Sequence, residues 1–367
     1  MIFRTCLCVV LTACAVLTPA TLHAREYRGM EKKNIALESA TTLVFGPDDI
    51  LFIGDSKAAT VVAVATGDTG EGSHGHSIQI DDVLAKLAAH TKAEQVAIQD
   101  LVVNPRTGTP FLAVHADQKP LIIKVVGDGN FEVLDLQSCP SSQAVLDDAP
   151  EDKVVRQGRR SRNPRDDSIT DLAFFENKLL VSGLRDAVAS STVRELSFPF
   201  VNQERGVGVQ IYHAAHGREE DTAAMRTFVP LMIDGEPTIV GAYVCTPLVK
   251  ISVEDLSGAG ESVNATTVAE LGNRNRPLDM VSYESDGKGY LLLSNSARGV
   301  MKIPTTGLGE ATELAEPVRG GGTAGQSYET VESLDGILEM DRQGDKSLLV
   351  LLQDDKGLQR LQTVPLP

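Results

Sequence analysis

The stretch "ITDLAFFENKLLVSGL" at Ile169–Leu184 is the sequence feature that decides the fold. An acidic residue, Asp171, stands directly before a run that is typical of two short strands joined by a tight turn. Two related stretches occur elsewhere, "IQDLVVNPRTGTPFLAV" at Ile98–Val114 and "PLDMVSYESDGKGYLLLS" at Pro277–Ser294. The recurrence of one plan along a chain indicates a repeat architecture.

Six segments share this plan, in which a polar lead residue precedes an apolar run, turn residues and a second apolar run. The lead residues are Thr42, Asp100, Asp171, Thr227, Asp279 and Asp335. The turns are rich in Pro, Asn, Asp and Gly, as in "NPRTG" and "SDGKG", which favours β-hairpins. Further strand-like runs follow the hairpins, such as "ATVVAVAT" at Ala59–Thr66.

A repeat of about 50–60 residues with three to four strands is typical of a blade of a β-propeller. The sequence therefore predicts an all-β fold, with residues 25–367 forming one β-propeller domain of six visible blades. Seven blades are the alternative, because the first repeat starts late and "YRGMEKKNIALES" at Tyr27–Ser39 would then complete the last blade. One inserted helix is predicted at Asp81–Gln95, where apolar residues recur at helical spacing and Asp81 is a candidate N-cap.

The N-terminus, Met1–Ala24, has the layout of a signal peptide, with one early charge, a short apolar run and a small residue at the end. The apolar run is too short for a transmembrane span. A lipoprotein anchored through Cys14 in "LTAC" is the less favoured alternative. Both interpretations predict a protein exported to the periplasm or the exterior.

The formal net charge of −16 argues against nucleic acid as a partner, because a strongly acidic surface repels phosphate backbones. Outside the leader only Cys139 and Cys245 remain, too few for a disulfide scaffold. One disulfide or two separate thiols are both compatible with the sequence.

In a propeller, the lead residues of the innermost strands surround one end of the central channel. Their carboxylates would repel one another unless a cation lies among them or some stay protonated. Oxygen ligands of this kind suit Ca²⁺ or another divalent cation. The other interpretation is structural, since an aspartate at a strand entry also accepts backbone N–H bonds.

Two further motifs contain candidate ligand groups. "GNRNRPLDM" at Gly272–Met280 brings Arg274 and Arg276 to the predicted channel mouth, where they would bind a carboxylate or phosphate or neutralise the aspartates. "IYHAAHG" places His213 and His216 three residues apart, so a turn between them would allow one shared metal ion. The candidate metal ligands are Asp100, Asp171, Asp279, His213 and His216.

The sequence contains no GxSxG, P-loop or HExxH motif, so it identifies no catalytic residue. It also contains no CxxCH motif, which excludes covalently attached c-type haem.

The hairpins "VFGPDDILFIGDSKAATVVAV" and "DLVVNPRTGTPFLAVHADQKPLIIKV" resemble blades of secreted bacterial propellers of the YVTN/NHL or amine-dehydrogenase β-chain-like group. This resemblance covers most of residues 40–367 and concerns fold. Lactonases, dehydrogenase subunits and binding proteins all occur in that group.

Two functions from different classes follow. One is a binding or scaffold protein that holds a small molecule or protein partner at the channel mouth. The alternative is a metal-assisted hydrolase or oxidoreductase, with a divalent cation in the central channel that activates water.

Overall fold

The computed structural model describes residue 27 and residues 29–70, 76–127, 129–157, 160–200, 205–258 and 260–367. The predicted leader, Met1–Ala24, lies outside these residues. In the described part of the chain, six small β-sheets form a closed ring. The prediction of an all-β, six-bladed β-propeller is confirmed.

Each blade, numbered one to six by the chain order of its innermost strand, is a mainly antiparallel sheet that begins at the central channel. The innermost strands are Thr42–Phe45, Val96–Val103, Asp171–Phe175, Met225–Ile233, Pro277–Ser285 and Ile337–Arg342. The second strands are Ile50–Asp55, Pro110–Ala116, Lys178–Arg185, Glu236–Tyr243, Lys288–Asn295 and Ser347–Gln353. The third strands are Thr60–Ala65, Lys119–Val126, Ser190–Ser197, Pro247–Ser252, Gly299–Pro304 and Gln359–Pro365.

The outer part of each blade is more variable. Fourth strands are Pro140–Val145, Asn130–Val133, Val207–His213, Thr266–Glu270, Glu329–Thr330 and Gln79–Ile80, for blades one to six respectively. Short additional strands are Glu31–Lys32 in blade one, Arg218–Glu220 and Ser262–Asn264 in blade three, and Ala324–Gly325 in blade four. A separate hairpin joins Val155–Gln157 to Arg160–Arg162.

Several hairpins close through two residues that both have positive φ. Glu176 and Asn177 have φ angles of 47° and 63°, and Asp286 and Gly287 have angles of 51° and 72°. Such turns match the right-handed twist of the strands they join. The local sequence therefore builds each hairpin independently of the rest of the chain.

The blades are not arranged in chain order. The apolar clusters between blades show that the ring runs one, two, six, five, four, three and back to one. Blade two lies between blades one and six, and the chain then returns to blade one through the strand Pro140–Val145, which pairs with Thr60–Ala65. The long interval between Asp100 and Asp171 thus contains a strand of blade one as well as a polar loop.

The ring is closed by a segment other than the one predicted. Gln79–Ile80 forms the outer strand of blade six, where Ile80 lies opposite Leu361. Glu31–Lys32 pairs with Pro140–Val145 and so belongs to blade one. The prediction that the N-terminal segment completes the last blade is therefore wrong, because blade one itself is adjacent to this segment and has a free edge for it.

The inserted helix α1 spans Val83–Thr91, and α2 spans Val253–Gly258. Asp82 rather than Asp81 caps α1, accepting the Ala85 N–H at 3.0 Å. The apolar face of α1, with Val83 and Leu87, packs against the cluster between blades two and six. Three 3-10 helices lie at Pro47–Asp49, Pro164–Asp167 and Glu332–Leu334. No helix in the described ranges is long and apolar enough to cross a membrane.

Arg194 holds blade three to the segment that follows blade one. Its side chain is fully enclosed, and Nε donates to Asp148 at 2.9 Å. The two terminal nitrogens donate to the carbonyl oxygens of Ser168 and Leu184 at 3.2 Å and 3.0 Å. A buried guanidinium is tolerated here because it has both an ion pair and backbone acceptors.

Cys139 and Cys245 are both free thiols, so the disulfide that the sequence left open is not formed.

Candidate functional site at the channel mouth

Six residues surround the entrance of the central channel, one from each innermost strand. Each directly precedes a buried residue of its strand that packs between blades. They are Thr42, Asp100, Asp171, Thr227, Asp279 and Glu339, and together they are called the entry ring. Five of them were proposed from the sequence.

In blade six, Glu339 takes the position that the sequence interpretation gave to Asp335. The backbone N–H of Met340 donates to an aspartate of the neighbouring blade, as the N–H groups of Leu43 and Phe228 do. Glu339 directly precedes Met340, just as Thr42 and Thr227 directly precede Leu43 and Phe228. Asp335 is exposed and follows the 3-10 helix Glu332–Leu334. The placement of Asp335 at the channel mouth is therefore corrected.

The two residues lie at different places, because Asp335 precedes the strand Ile337–Arg342 whereas Glu339 lies within it, directly after a β-bulge. Asp335 lines a cleft of about 660 Å³ together with Arg298 and Glu332. A sequence signal for the correct residue exists, because "LEMD" at 338–341 matches "LDMV" at 278–281.

The three aspartates of the entry ring join neighbouring blades through the backbone. One oxygen of each accepts the N–H of the next residue in its own strand, at 2.7 Å in all three cases. The other oxygen accepts an N–H from the adjacent blade. These bonds are Leu43 to Asp100 at 2.5 Å, Phe228 to Asp171 at 2.8 Å and Met340 to Asp279 at 2.6 Å.

Around the ring, these aspartates alternate with Thr42, Thr227 and Glu339. Going round the ring, each aspartate accepts a backbone N–H from the blade on the same side of its own blade. These hydrogen bonds therefore follow an approximate threefold pattern. Asp341 repeats the arrangement one layer deeper, accepting from Val103 at 2.7 Å and from Arg342 at 2.7 Å. The entry carboxyls therefore hold the blades together at the channel axis.

Enclosure in the channel raises the pKa of the ring carboxyls, because the ionised form loses hydration. The pKa is about 8 for Asp279 and about 6 for Asp171. It is well above the usual range for Asp100 and Glu339, where repulsion from the other carboxyls adds to the loss of hydration. Much of the ring is therefore protonated at neutral pH, which reduces repulsion without a cation.

Below the ring, the channel is mainly apolar. Because side chains alternate along a strand, the second residue after each ring position again faces the channel. These residues are Val44, Val102, Ala173, Val229, Val281 and Asp341, and they line a cavity of about 310 Å³. The pKa of Asp341 is raised to about 6 by the same enclosure.

Arginine side chains lie at the rim on the side of blades three to five. Arg226 forms an ion pair with Asp167 at 2.6 Å. Arg276 is exposed and lies within electrostatic range of Arg226, Asp167 and Glu339, and loss of hydration followed by repulsion from Arg226 lowers its pKa. Within the described residues, its guanidinium makes no hydrogen bond and no ion pair. Arg274 is exposed, with φ of 57°, and is not among the charged groups that act on the ring.

His213 and His216 lie elsewhere, on the outer hairpin of blade three. The turn after the strand Val207–His213 brings both imidazoles to Glu220, which the sequence interpretation did not include. The predicted metal ligands thus divide into two places, the ring aspartates and this hairpin. Of the residues that the structure describes, His213, His216 and Glu220 are the set of three whose ligand atoms lie within 4.8 Å of one another.

No family model matches the chain, and no curated protein matches it. Solved structures match it at low identity. Raptor from Chaetomium thermophilum is 10% identical with a TM-score of 0.37, and the match covers 91% of this chain and 28% of Raptor. A putative 6-phosphogluconolactonase from Bacteroides uniformis is 10% identical with a TM-score of 0.32, covering 87% and 74%.

A PQQ-bound aldose sugar dehydrogenase from Streptomyces coelicolor is 9% identical with a TM-score of 0.30, covering 90% of this chain and 96% of the dehydrogenase. At such identities and TM-scores, these similarities carry no argument about ligand or activity. The resemblance to the YVTN/NHL or amine-dehydrogenase group therefore stays a prediction.

Proposed function

We propose that this chain is an exported β-propeller binding or scaffold protein that holds an anionic group of a small molecule or protein partner at the channel mouth. The observation that carries the proposal is which charged groups at the channel mouth already have hydrogen-bond partners and which do not. The ring aspartates already accept backbone N–H bonds, whereas the Arg276 guanidinium at the rim has no hydrogen-bond partner among the described residues.

The chemistry of the rim favours a carboxylate or a phosphate as the bound group. A guanidinium presents parallel N–H donors that match the two oxygens of such a group. Arg226 adds positive charge beside Arg276, while Asp167 holds Arg226 in place. The protonated carboxyls of the ring repel an approaching anion less than ionised ones would.

A matched pair of variants tests this proposal. Unfolding of the wild type is followed with inorganic phosphate and with malonate, since a ligand that binds only the folded state raises stability by about 2.7 kcal/mol at 100 times Kd. Arg276→Gln should abolish the increase, and Arg274→Gln, which removes the same charge nearby, should retain it. An equal increase in both variants, or none in the wild type with either anion, would contradict the proposal.

The alternative function, a metal-assisted hydrolase or oxidoreductase, requires a divalent cation such as Ca²⁺ in the central channel. It has less support, because each ring aspartate uses both oxygens for backbone N–H groups. Elemental analysis of the purified protein separates the two functions. A stoichiometric metal ion that is lost in Asp171→Asn but kept in Glu220→Gln would favour the enzyme.

A further inference from the structure

The outer hairpin of blade three brings three ligand groups to one place. His213 ends one strand, His216 lies in the turn, and Glu220 ends the returning strand Arg218–Glu220. His213 is opposite Arg218, and Ile211 is opposite Glu220. Since paired residues and their second neighbours share a face of the sheet, His213 and Glu220 are on the same side.

The ligand atoms are already close together. Nδ1 of His213 is 2.8 Å from Oε2 of Glu220, and Nδ1 of His216 is 2.7 Å from Oε1. The centres of the two imidazole rings are 3.9 Å apart. At these distances, the Nδ1 atoms of His213 and His216 and the carboxylate of Glu220 surround one small volume.

The turn that carries His216 is fixed from outside by neighbouring segments. Thr267 of blade four donates to the carbonyl oxygen of Tyr212 at 2.7 Å. Val318 donates its N–H to the carbonyl oxygen of Ala214 at 2.9 Å. Such support holds ligand groups in position before a metal ion arrives, which lowers the ordering cost of binding.

Two buried polar atoms beside the turn have no partner among the described residues. His213 is 2% exposed and its Nε2 is unpaired, and Glu270 is 0% exposed with Oε1 unpaired. The other oxygen of Glu270 accepts the Ala215 N–H at 3.1 Å. Unpaired buried polar groups are rare in folded proteins. Nε2 lies across the imidazole from the Nδ1 that faces Glu220, so the ligand role of His213 rests on Nδ1 alone.

From this geometry we infer that His213, His216 and Glu220 bind one divalent transition-metal ion of the Zn²⁺ class. Two imidazoles and a carboxylate favour Zn²⁺ and its neighbours over Ca²⁺ or Mg²⁺, which prefer oxygen ligands. Three protein ligands leave one coordination position open for water or a partner group. This inference is independent of the function proposed for the channel mouth.

Arg218 provides a second test of the inference, because it contacts one of the proposed ligands. Its Nε donates to Oε1 of Glu220 at 2.9 Å, and its side chain is largely exposed. The guanidinium therefore competes with a cation for the same carboxylate oxygen. Removing Arg218 should strengthen metal binding, whereas a purely structural ion pair predicts no metal dependence at all.

The test is titration of the full chain with Zn²⁺ by calorimetry, and with Co²⁺ by visible absorption, at pH 7.5. The wild type should bind one ion of either metal per chain. His216→Gln and Glu220→Gln should each weaken metal binding at least roughly tenfold. Loss of a group that only supports a metal ligand already weakens binding by about this factor, and these two residues are proposed as ligands themselves. Arg218→Ala should bind severalfold more tightly.

His90→Gln is the matched control, because His90 is exposed on α1 and distant in sequence from the hairpin. It should bind like the wild type. His216 is partly exposed, so its variant retains the fold, which circular dichroism verifies. Wild-type affinity in both His216→Gln and Glu220→Gln, or no binding of Zn²⁺ by the folded wild type, would overturn the inference.

Discussion

Asp279→Asn tests how the entry ring stabilises the propeller. In the wild type, the two carboxyl oxygens of Asp279 accept the N–H groups of Met280 and Met340 at 2.7 Å and 2.6 Å. The asparagine amide keeps one acceptor oxygen and replaces the other by an NH₂ donor. One interior N–H therefore loses its acceptor, which costs about 1–3 kcal/mol.

This cost is opposed by a proton that only the wild type binds. The pKa of Asp279 is raised from 3.8 to about 8 by enclosure in the channel, with further repulsion from Asp171. The folded protein keeps this proton while the unfolded chain releases it, so the contribution is complete below about pH 4 and is lost as the pH rises to about 8. At about 1.4 kcal/mol for each pH unit, the loss approaches roughly 6 kcal/mol as an upper limit.

The measurement is urea unfolding of both proteins between about pH 3.5 and 8.5, followed by far-UV circular dichroism because the chain has no Trp. The free energy of unfolding of Asp279→Asn should be about 1–3 kcal/mol lower at the acid end. The difference should shrink as the pH rises and reverse at about pH 4.5–6, where a loss of about 1.4 kcal/mol per pH unit has cancelled it. Asp335→Asn, at an exposed position outside the ring, should change little at any pH.

Two results would refute this reasoning. A difference that stays constant across the pH range would mean that the pKa of Asp279 is not raised. A difference that grows with pH would mean that the ionised carboxylate is stabilised in the folded state, as a cation bound in the channel would do.

Three further predictions concern the junctions between blades, each measured as the urea midpoint and m-value. Arg194→Ala leaves the half-buried carboxylate of Asp148 with only the Gly206 N–H and no ion pair, and should cost up to about 3–5 kcal/mol; an unchanged midpoint would show that water replaces the guanidinium. Gly183→Ala would place its Cβ 2.2 Å from the carbonyl oxygen of Ser168, so backbone must shift and the variant should fold poorly or lose several kcal/mol. Ile80→Ala removes a residue that is 1% exposed from the strand that closes blade six, and should cost about 2–5 kcal/mol; hydrogen exchange should quicken in blade six and not in blade four.

Local features of the fold were predictable because they depend on neighbouring residues. The hairpins of all six blades follow from alternating apolar runs and turn residues, and α1 follows from helical spacing in Val83–Thr91. Asp100, Asp171 and Asp279 were found for the same reason, since each directly precedes the apolar run of its innermost strand.

The candidate sites were predictable only in part. Glu339 was missed because Asp335, which precedes the strand, was taken as the lead residue of blade six, although "LEMD" matches "LDMV" and aligns Glu339 with Asp279. Glu220 was missed because it joins His213 only through the pairing of two strands. His213 and His216 come together through a turn. Gly217, which directly follows His216, already indicated that turn in the sequence.

Sequence alone determined the repeating unit and the residue type at most strand entries, because hairpins form from local pairing and turn geometry. Only the tertiary structure decided that blade two lies between blades one and six, that Gln79–Ile80 closes the ring, and that the exposed Arg276 guanidinium has no hydrogen bond or ion pair among the described residues. Blade faces are all apolar and nearly alike in pattern, so which face meets which is decided by side-chain packing between residues far apart in the chain.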